Sequence, residues 1–394
     1  MPFVPRPVSL MLTVCAAVLM FGAGTEPSSV ESLAGTARQL RHIQPVEERD
    51  VPPAARSLIT TWKKQLRGFI SRELNAGPYG NAPADRIRDD LKAALAREGV
   101  RVGEEQKDGE GPYGWLSDLE VRRSEGHDHL LAVTVTQGIA CGSDAALYLF
   151  EQTKERWRLV LALESNDYKE VSGALGSFDF RISPPDKKGG FFIVAADINP
   201  WCSSNWQRLR YRAYRLGGDP LRPVPFFEET EGIYQWDLEL AVKADQFQVT
   251  FQGSQSLDLG ILVRDYVRAF QVTGTKAERI GPLAKEPRGF IDEWISQPWE
   301  IAERWAAPSM RSQLKAWHDR LKERQEGDGP YTEFGSVKDC GPSRSQIWLD
   351  IDPDPRPNTL PRELYFVVRR RGEDFRMERI DVGEGEKCGA GVLP

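Results

Sequence analysis

The period of the hydrophobic positions changes repeatedly along this chain. Between 53 and 75, Leu58, Trp62, Leu66, Phe69 and Ile70 recur at helical spacing behind the stop signal Pro52-Pro53. Between 85 and 98, Ile87, Leu91 and Leu95 lie four apart, which predicts a second helix. The pattern then turns strand-like. Segments 130–136, 145–150 and 157–163 are apolar and β-prone, with polar turns between them, and predict an antiparallel meander. From 166 to 283 there is no helical period. The strand candidates there are 178–182, 191–196, 209–216, 238–242, 247–251 and 263–272, punctuated by turns such as Lys188-Gly189-Gly190 and Gly217-Gly218-Asp219-Pro220. That spacing suits a β-sandwich or a few propeller-like blades. A helical stripe returns with Phe290, Trp294, Ile301 and Trp305, and another with Met310, Leu314, Trp317 and Leu321. Strands follow again at 346–351, 364–369 and 375–380.

The return is also written in short matches. Arg67-Gly68-Phe69-Ile70 recurs as Arg288-Gly289-Phe290-Ile291, and Arg88-x-x-Leu91-Lys92-Ala93 as Arg311-x-x-Leu314-Lys315-Ala316. Gly109-Glu110-Gly111-Pro112-Tyr113 recurs as Gly327-Asp328-Gly329-Pro330-Tyr331, and the offsets of the three matches are 221, 223 and 218. Three matches in one order at nearly one offset predict a degenerate internal duplication. The last hairpins echo one another too. Both have Leu-Tyr on the outgoing strand and an aromatic-Arg pair on the return, Trp157-Arg158 and Phe375-Arg376. The Gly-acid-Gly-Pro-Tyr element lacks the strand-before, helix-after context of a phosphate loop and is read as a turn.

Helices followed by an antiparallel meander resemble, in element order alone, the NTF2-like cone fold. The resemblance implies a curved sheet wrapped round a long helix and an apolar pocket, and it carries over no site residue. The expected fold class is therefore α+β, with two helix-plus-meander units flanking a β-only region. The expected boundaries are a signal peptide at 1–24, a mobile linker rich in Ser, Glu and Pro at 25–52, a first unit at 53–165, the β-only region at 166–283 and a second unit at 284–394.

The signal peptide rests on Arg6 followed by an uncharged stretch to Gly24, which ends in the small residues Gly22-Ala23-Gly24. The apolar run is also at the lower limit of a bilayer span, so a retained anchor is the rival reading. Cys15 raises lipid attachment as a third, although Val14 stands where a small residue is wanted. No other apolar segment is long enough to cross a membrane. Removal of the leader would leave Cys141, Cys202, Cys340 and Cys388. An even count in a secreted or periplasmic chain predicts disulfides, with buried free thiols as the alternative; of the three possible connectivities, Cys141–Cys202 with Cys340–Cys388 is favoured because it keeps each pair within one half. No C-x-x-C occurs, which argues against a thioredoxin-like or zinc-ribbon site.

Composition narrows the class. With 394 residues, 40% of them apolar and 28% charged, the chain is an ordinary globular protein of two or three domains' length. A net charge of −6 offers no general attraction to phosphate, so a dedicated nucleic-acid binder is not expected.

The candidate chemistry is thin. His127 and His129 would share a strand face and could supply two metal ligands, against a reading as a solvated turn. Asp350, Asp352 and Asp354 alternate as in a calcium loop, but Pro355 and Pro361 stand where an EF-hand needs Gly and Glu. Arg208, Arg210 and Arg212 line one strand face, either as an anion surface or as a solvated face balanced by acids such as Glu228 and Glu229. Trp201 and Trp206 bracket Cys202, either as a sugar-stacking platform or as packing over a disulfide.

No G-x-S-x-G, H-E-x-x-H or P-loop is present, and no S-x-x-K lies in a supporting context. No catalytic residue and no cofactor is assigned. The leading expectation is a non-catalytic exported protein that binds an unidentified ligand or partner. The alternatives are a pocket enzyme or small-molecule binder built on a helix-plus-meander unit, and a carbohydrate-binding or carbohydrate-active protein that uses Trp201 and Trp206.

Overall fold

The chain combines helices with antiparallel sheets, and the sheets formed by the described residues are open rather than closed into a barrel. The computed structural model describes residues 32–394 apart from 48, 105, 155, 203, 235–236, 255–262, 327–331, 352–359, 373, 384, 386–387, 390 and 393–394. The expected leader at 1–24, the second Gly-Asp-Gly-Pro-Tyr turn, Asp352 and Asp354 lie outside these residues.

Three helices come first: α1 (Leu33–Arg41), α2 (Pro53–Ala76) and α3 (Ala84–Arg97). Proline opens α2, where its missing N–H would have had no partner in any case. A four-stranded meander follows in the order β1 (Leu116–Ser124), β2 (His127–Ile139), β3 (Gly142–Gln152) and β4 (Trp157–Glu164). Two further meanders fill the middle of the chain. One is β5 (Ser177–Ile182), β6 (Ile193–Ile198), β7 (Trp206–Tyr214) and β8 (Phe227–Tyr234). The other is β9 (Leu238–Val242), β10 (Gln246–Ser254), β11 (Val263–Thr273) and β12 (Lys276–Ile280). Helices then return as α4 (Pro287–Ser296), α5 (Trp299–Ala302) and α6 (Arg311–Glu326). The last sheet holds β13 (Thr332–Asp339), β14 (Arg344–Ile351), β15 (Glu363–Arg371) and β16 (Asp374–Val382), with the short β17 (Gly391–Val392) on the free side of β13.

One expectation is corrected. Part of the segment read as a mobile linker at 25–52 is the helix α1, which buries Leu33, Ala37 and Leu40. These positions are spaced i, i+4, i+7, and the polar composition around them hides that short stripe. The stripe Phe290–Trp305 is also divided. Pro298 cannot continue α4, so the chain ends that helix at Ser296 and starts again as α5.

The sheets are layered through their side chains. One face of the β1–β4 sheet packs on α1–α3 through Leu119, Val133, Tyr148 and Phe150. Its other face, through Leu130, Leu147 and Leu149, meets Phe180, Ile193 and Ala195 of the β5–β8 sheet. That second sheet turns Val194, Leu209 and Tyr211 toward Phe247, Val249 and Phe270 of the third. The fourth sheet packs Ile347, Leu349 and Phe366 on Phe290, Trp294 and Leu314. Burying each such side chain contributes roughly 1.5–3 kcal/mol, which drives the stacking.

The four cysteines pair as Cys141–Cys202 and Cys340–Cys388. The first joins the β2–β3 turn to the segment before β7 and so links two neighbouring sheets. The second fastens the C-terminal segment to the β13–β14 turn, beside the β13–β17 pairing. Chain separations of 61 and 48 residues put the expected stabilisation at about 4 kcal/mol for each bridge. Replacing Cys141 and Cys202 together by Ser should lower the free energy of urea unfolding by about 3–4 kcal/mol. A loss below about 1 kcal/mol would show that the stacked sheets hold together without the bridge.

Candidate functional site

Buried charge is gathered in a few clusters, and each sits where layers meet. The most enclosed lies between α2 and β3. Lys63 projects from α2 and Asp144 from β3, with side chains 2% and 0% exposed and Nζ 2.5 Å from Oδ2. The same Nζ donates to the Ser165 carbonyl at 2.5 Å. Asp144 Oδ2 also accepts from Tyr168 Oη at 2.8 Å and Gln137 Nε2 at 3.1 Å, while Oδ1 accepts from the Leu175 amide at 3.2 Å. Burial and the Asp144 carboxylate push the Tyr168 hydroxyl well above its ordinary value. Beside it, burial pushes Tyr113 up to about 12. One turn along α2, Arg67 pairs with Glu164, which also accepts from Tyr148 Oη at 3.0 Å.

A second cluster joins β11, β12 and α4. Glu293 accepts from Arg264 at 2.8 Å, Arg268 at 2.6 Å and Arg279 at 2.6 Å. Asp292 accepts from Arg264 Nε at 2.8 Å, and Glu231 from Arg268 Nε at 2.8 Å. The Arg264 guanidinium also lies 3.5 Å from the centre of the Tyr266 ring. Burial alone would raise the Glu293 carboxyl, but Arg268, Arg264 and Arg279 outweigh it and hold that carboxyl below its ordinary value.

The arginine stripe on β7 is tied down from within the sheet. Arg210 donates to Asp197 at 3.0 Å and Arg212 at 2.7 Å, while Arg208 reaches the Ser172 carbonyl at 2.7 Å. The balancing acid is therefore Asp197 on the neighbouring strand β6. Of the acids named from sequence, Glu229 is engaged by Tyr211 Oη at 2.5 Å.

The remaining sequence candidates do not converge. Trp201 is half-buried under the Arg49 guanidinium, 4.2 Å from the ring centre. Trp206 is 39% exposed and leans on Tyr234 at 5.1 Å with the ring planes 58° apart, so the two tryptophans take separate partners. His127 is buried, with Nε2 bonded to the Ser183 carbonyl at 2.9 Å, and its ring centre lies 6.0 Å from that of exposed His129. Among the described residues no third His, Cys, Asp or Glu joins that pair. Asp350 lies 3.6 Å from Arg362 across β14 and the chain before β15.

Sequence reading missed Lys63, Asp144 and the Arg264–Glu293 group. The one available signal was charge at core-facing positions: Lys63 next to Trp62, and Asp144 two residues before Ala146 and four before Tyr148 on the face toward the helices. Two surface clefts stand apart from these clusters. One, of about 560 Å³, opens between the start of α4 and the β13–β14 turn and is lined by Lys285, Asp339, Ser343, Arg344, Arg370 and Phe375. The other, of about 360 Å³, lies at the β1–β2 hairpin beside Arg122, Arg123, Phe180 and Arg181.

No protein-family model matches the chain, and no curated protein does. Among solved structures, the α-L-arabinofuranosidase Arb93A from Fusarium graminearum in complex with an iminosugar inhibitor is similar with a TM-score of 0.26 at 8% identity, over 66% of each chain. A point mutant of the same enzyme with an iminosugar inhibitor gives 0.25 at 8% identity, over 63% of this chain and 62% of that one. The chain thus spans just under two thirds of those proteins, and likeness at this level carries no argument about chemistry.

Two outcomes follow from the charge clusters. Removing the Glu293 carboxylate by substitution to Ala strips Arg279 of its ion pair and leaves Arg264 with Asp292 and Arg268 with Glu231 as their remaining acids, and should cost about 3–5 kcal/mol in urea unfolding. The second concerns His318, which is buried against Trp294 and Trp299 with Nε2 on the Gln297 carbonyl at 2.9 Å. Burial lowers its pKa from the ordinary 6.5 despite that bond and Asp319, so the unfolded chain binds the proton more readily. Unfolding free energy should therefore fall as pH drops below 6.5, and this fall should be smaller in His318→Gln. Equal slopes in both proteins would place the titration elsewhere.

Proposed function

We propose that the chain is an exported, non-catalytic binding protein of the periplasm or the extracellular space. The observation that supports this most strongly is the use made of buried charge. Lys63 with Asp144 and Glu293 with three arginines each tie a helix to the sheet beneath it, and Asp197 with Arg210 and Arg212 ties neighbouring strands of one sheet. An enzyme keeps such groups at the mouth of a cleft, where substrate reaches them. The two disulfides suit an oxidising compartment, and no helix among the described residues is long and apolar enough to cross a membrane. Ligand or partner is taken at the surface, and the cleft beside Arg344 and Arg370 is the first place to look.

The test pairs localisation with turnover. When the full chain is expressed with its own N-terminus, the periplasmic or medium fraction should contain a product whose intact mass lacks residues 1–24. That product should not turn over chromogenic glycosides, esters or phosphate esters. Turnover that co-purifies with the folded product and is absent from a mock purification would overturn the non-catalytic reading, and a full-length product confined to the cytosol would overturn export.

A second reading, carbohydrate binding, is favoured by one observation. Trp206 is exposed and braced by Tyr234. Quenching of tryptophan fluorescence by arabinan or xylan oligosaccharides, lost in Trp206→Ala, would support it. Unchanged fluorescence with every sugar would remove it.

We further infer that the two helix-plus-meander units are diverged copies of one unit. A single offset of 218 residues pairs the meander positions that face the helices: Leu116 with Phe334, Leu119 with Val337, Tyr148 with Phe366, Trp157 with Phe375 and Ala162 with Ile380. The same offset pairs the strand irregularities. Ser117 is the extra residue of β1 and Gly335-Ser336 bulge from β13, while Val160 is extra in β4 and Glu378 in β16. Bulges fix register, so their agreement supports common descent more strongly than composition does. The Leu-Tyr echo is out of step by one residue. Leu147 faces away from the helices, whereas Leu364 faces them.

A further inference from the structure

We propose that Lys63 and Asp144 are joined by an amide bond that the folded chain forms by itself. Both side chains are sealed in the core, Nζ lies 2.5 Å from Oδ2, and α2 and β3 hold the two groups on facing surfaces. No external substrate reaches them there, so their reactivity is directed at each other.

In water, an amine and a carboxylic acid rest as separate ions because hydration stabilises both charges. That hydration is absent here, and a desolvated ion pair is a poor resting state compared with a neutral amide. Proximity removes the other obstacle. Groups held in reacting geometry behave as though at an effective concentration of about 10⁵–10⁸ M. The surroundings fit each stage. A proton passes from Nζ to Oδ2 across the short contact, leaving a neutral amine beside a neutral acid. Nζ attacks Cγ, and the Leu175 amide donates to Oδ1 as charge builds there. Tyr168 Oη and Gln137 Nε2 donate to Oδ2, the oxygen that departs. The C–N bond forms, the Cγ–Oδ2 bond breaks, and Oδ2 leaves as water with two of the three ammonium protons. The third proton stays on the amide nitrogen, which already faces the Ser165 carbonyl. Nothing is oxidised or reduced, and no co-reactant is consumed.

The product would tie α2 to the sheet on which it lies, in the same unit as the Cys141 bridge. The test uses the full chain, purified, reduced and denatured, with its N-terminus determined by sequencing. Its intact mass should fall short of the calculated mass by one water. Proteolysis should give a branched peptide containing Lys63 and Asp144, and Lys63 should resist acylation in the unfolded protein. Lys63→Arg should restore the full calculated mass, and Asp144→Asn, if it condenses, should lose one ammonia instead. Because the wild-type mass decides the matter alone, a variant that fails to fold does not blunt the test. A wild-type chain of full mass with Lys63 freely acylated would overturn the proposal. So would a water loss that fragmentation maps to another residue, such as a cyclised aspartate.

Discussion

The middle of strands β2 and β3 has no solvent face, and that constraint organises the rest of the molecule. Helices cover one side and the β5–β8 sheet the other, so both alternating sets of side chains are buried there, while the edge strand β1 keeps Asp118 and Arg122 exposed. Strand β3 shows the result in its run Leu147-Tyr148-Leu149-Phe150, in which no residue reaches water. A polar group at such a position must bring its partner with it. Asp144 does so with Lys63, Tyr168, Gln137 and the Leu175 amide. Sheets of this kind more often expose one side; here a neighbouring meander of the same chain closes the second.

Much of this was legible in the residues. The helical stripes of α2, α3 and α6, the β character of the middle and the cysteine positions all follow from local spacing, because packing against a single partner leaves a simple period. The helix α1 was not legible. Its stripe is only nine residues long within a Ser-, Glu- and Pro-rich stretch, and it is held by α2 rather than by its own propensity. Strands β1 and β8 were also missed. Leu116–Ser124 carries Asp118, Glu120, Arg122 and Arg123, and Phe227–Tyr234 carries Glu228, Glu229 and Glu231, so their charged faces mask the alternation. The Lys63–Asp144 cluster could not be found by motif at all, since its members lie on different elements and meet only when α2 lies across β3.

Of the charged residues that drew notice in the sequence, His129 and Glu228 are exposed, whereas Arg210 and Arg212 pair with the buried Asp197. The ones with structural consequence are set among apolar residues, where a lone charge is costly and a matched set fixes orientation. Arg264 and Arg268 illustrate this. They share a strand face with Tyr266 and Phe270, and their neutralising acids come from elements far away in the chain.

That last feature bears on how the polypeptide matures during synthesis. The third sheet is complete at Ile280, but the acids that satisfy its arginines arrive with α4, at residues 292 and 293. A nascent chain that has not yet released those residues from the ribosome presents Arg264, Arg268 and Arg279 with Glu231 as their one available anion from this group. A truncation before residue 292 therefore removes acids that pair with the third sheet as well as the final unit.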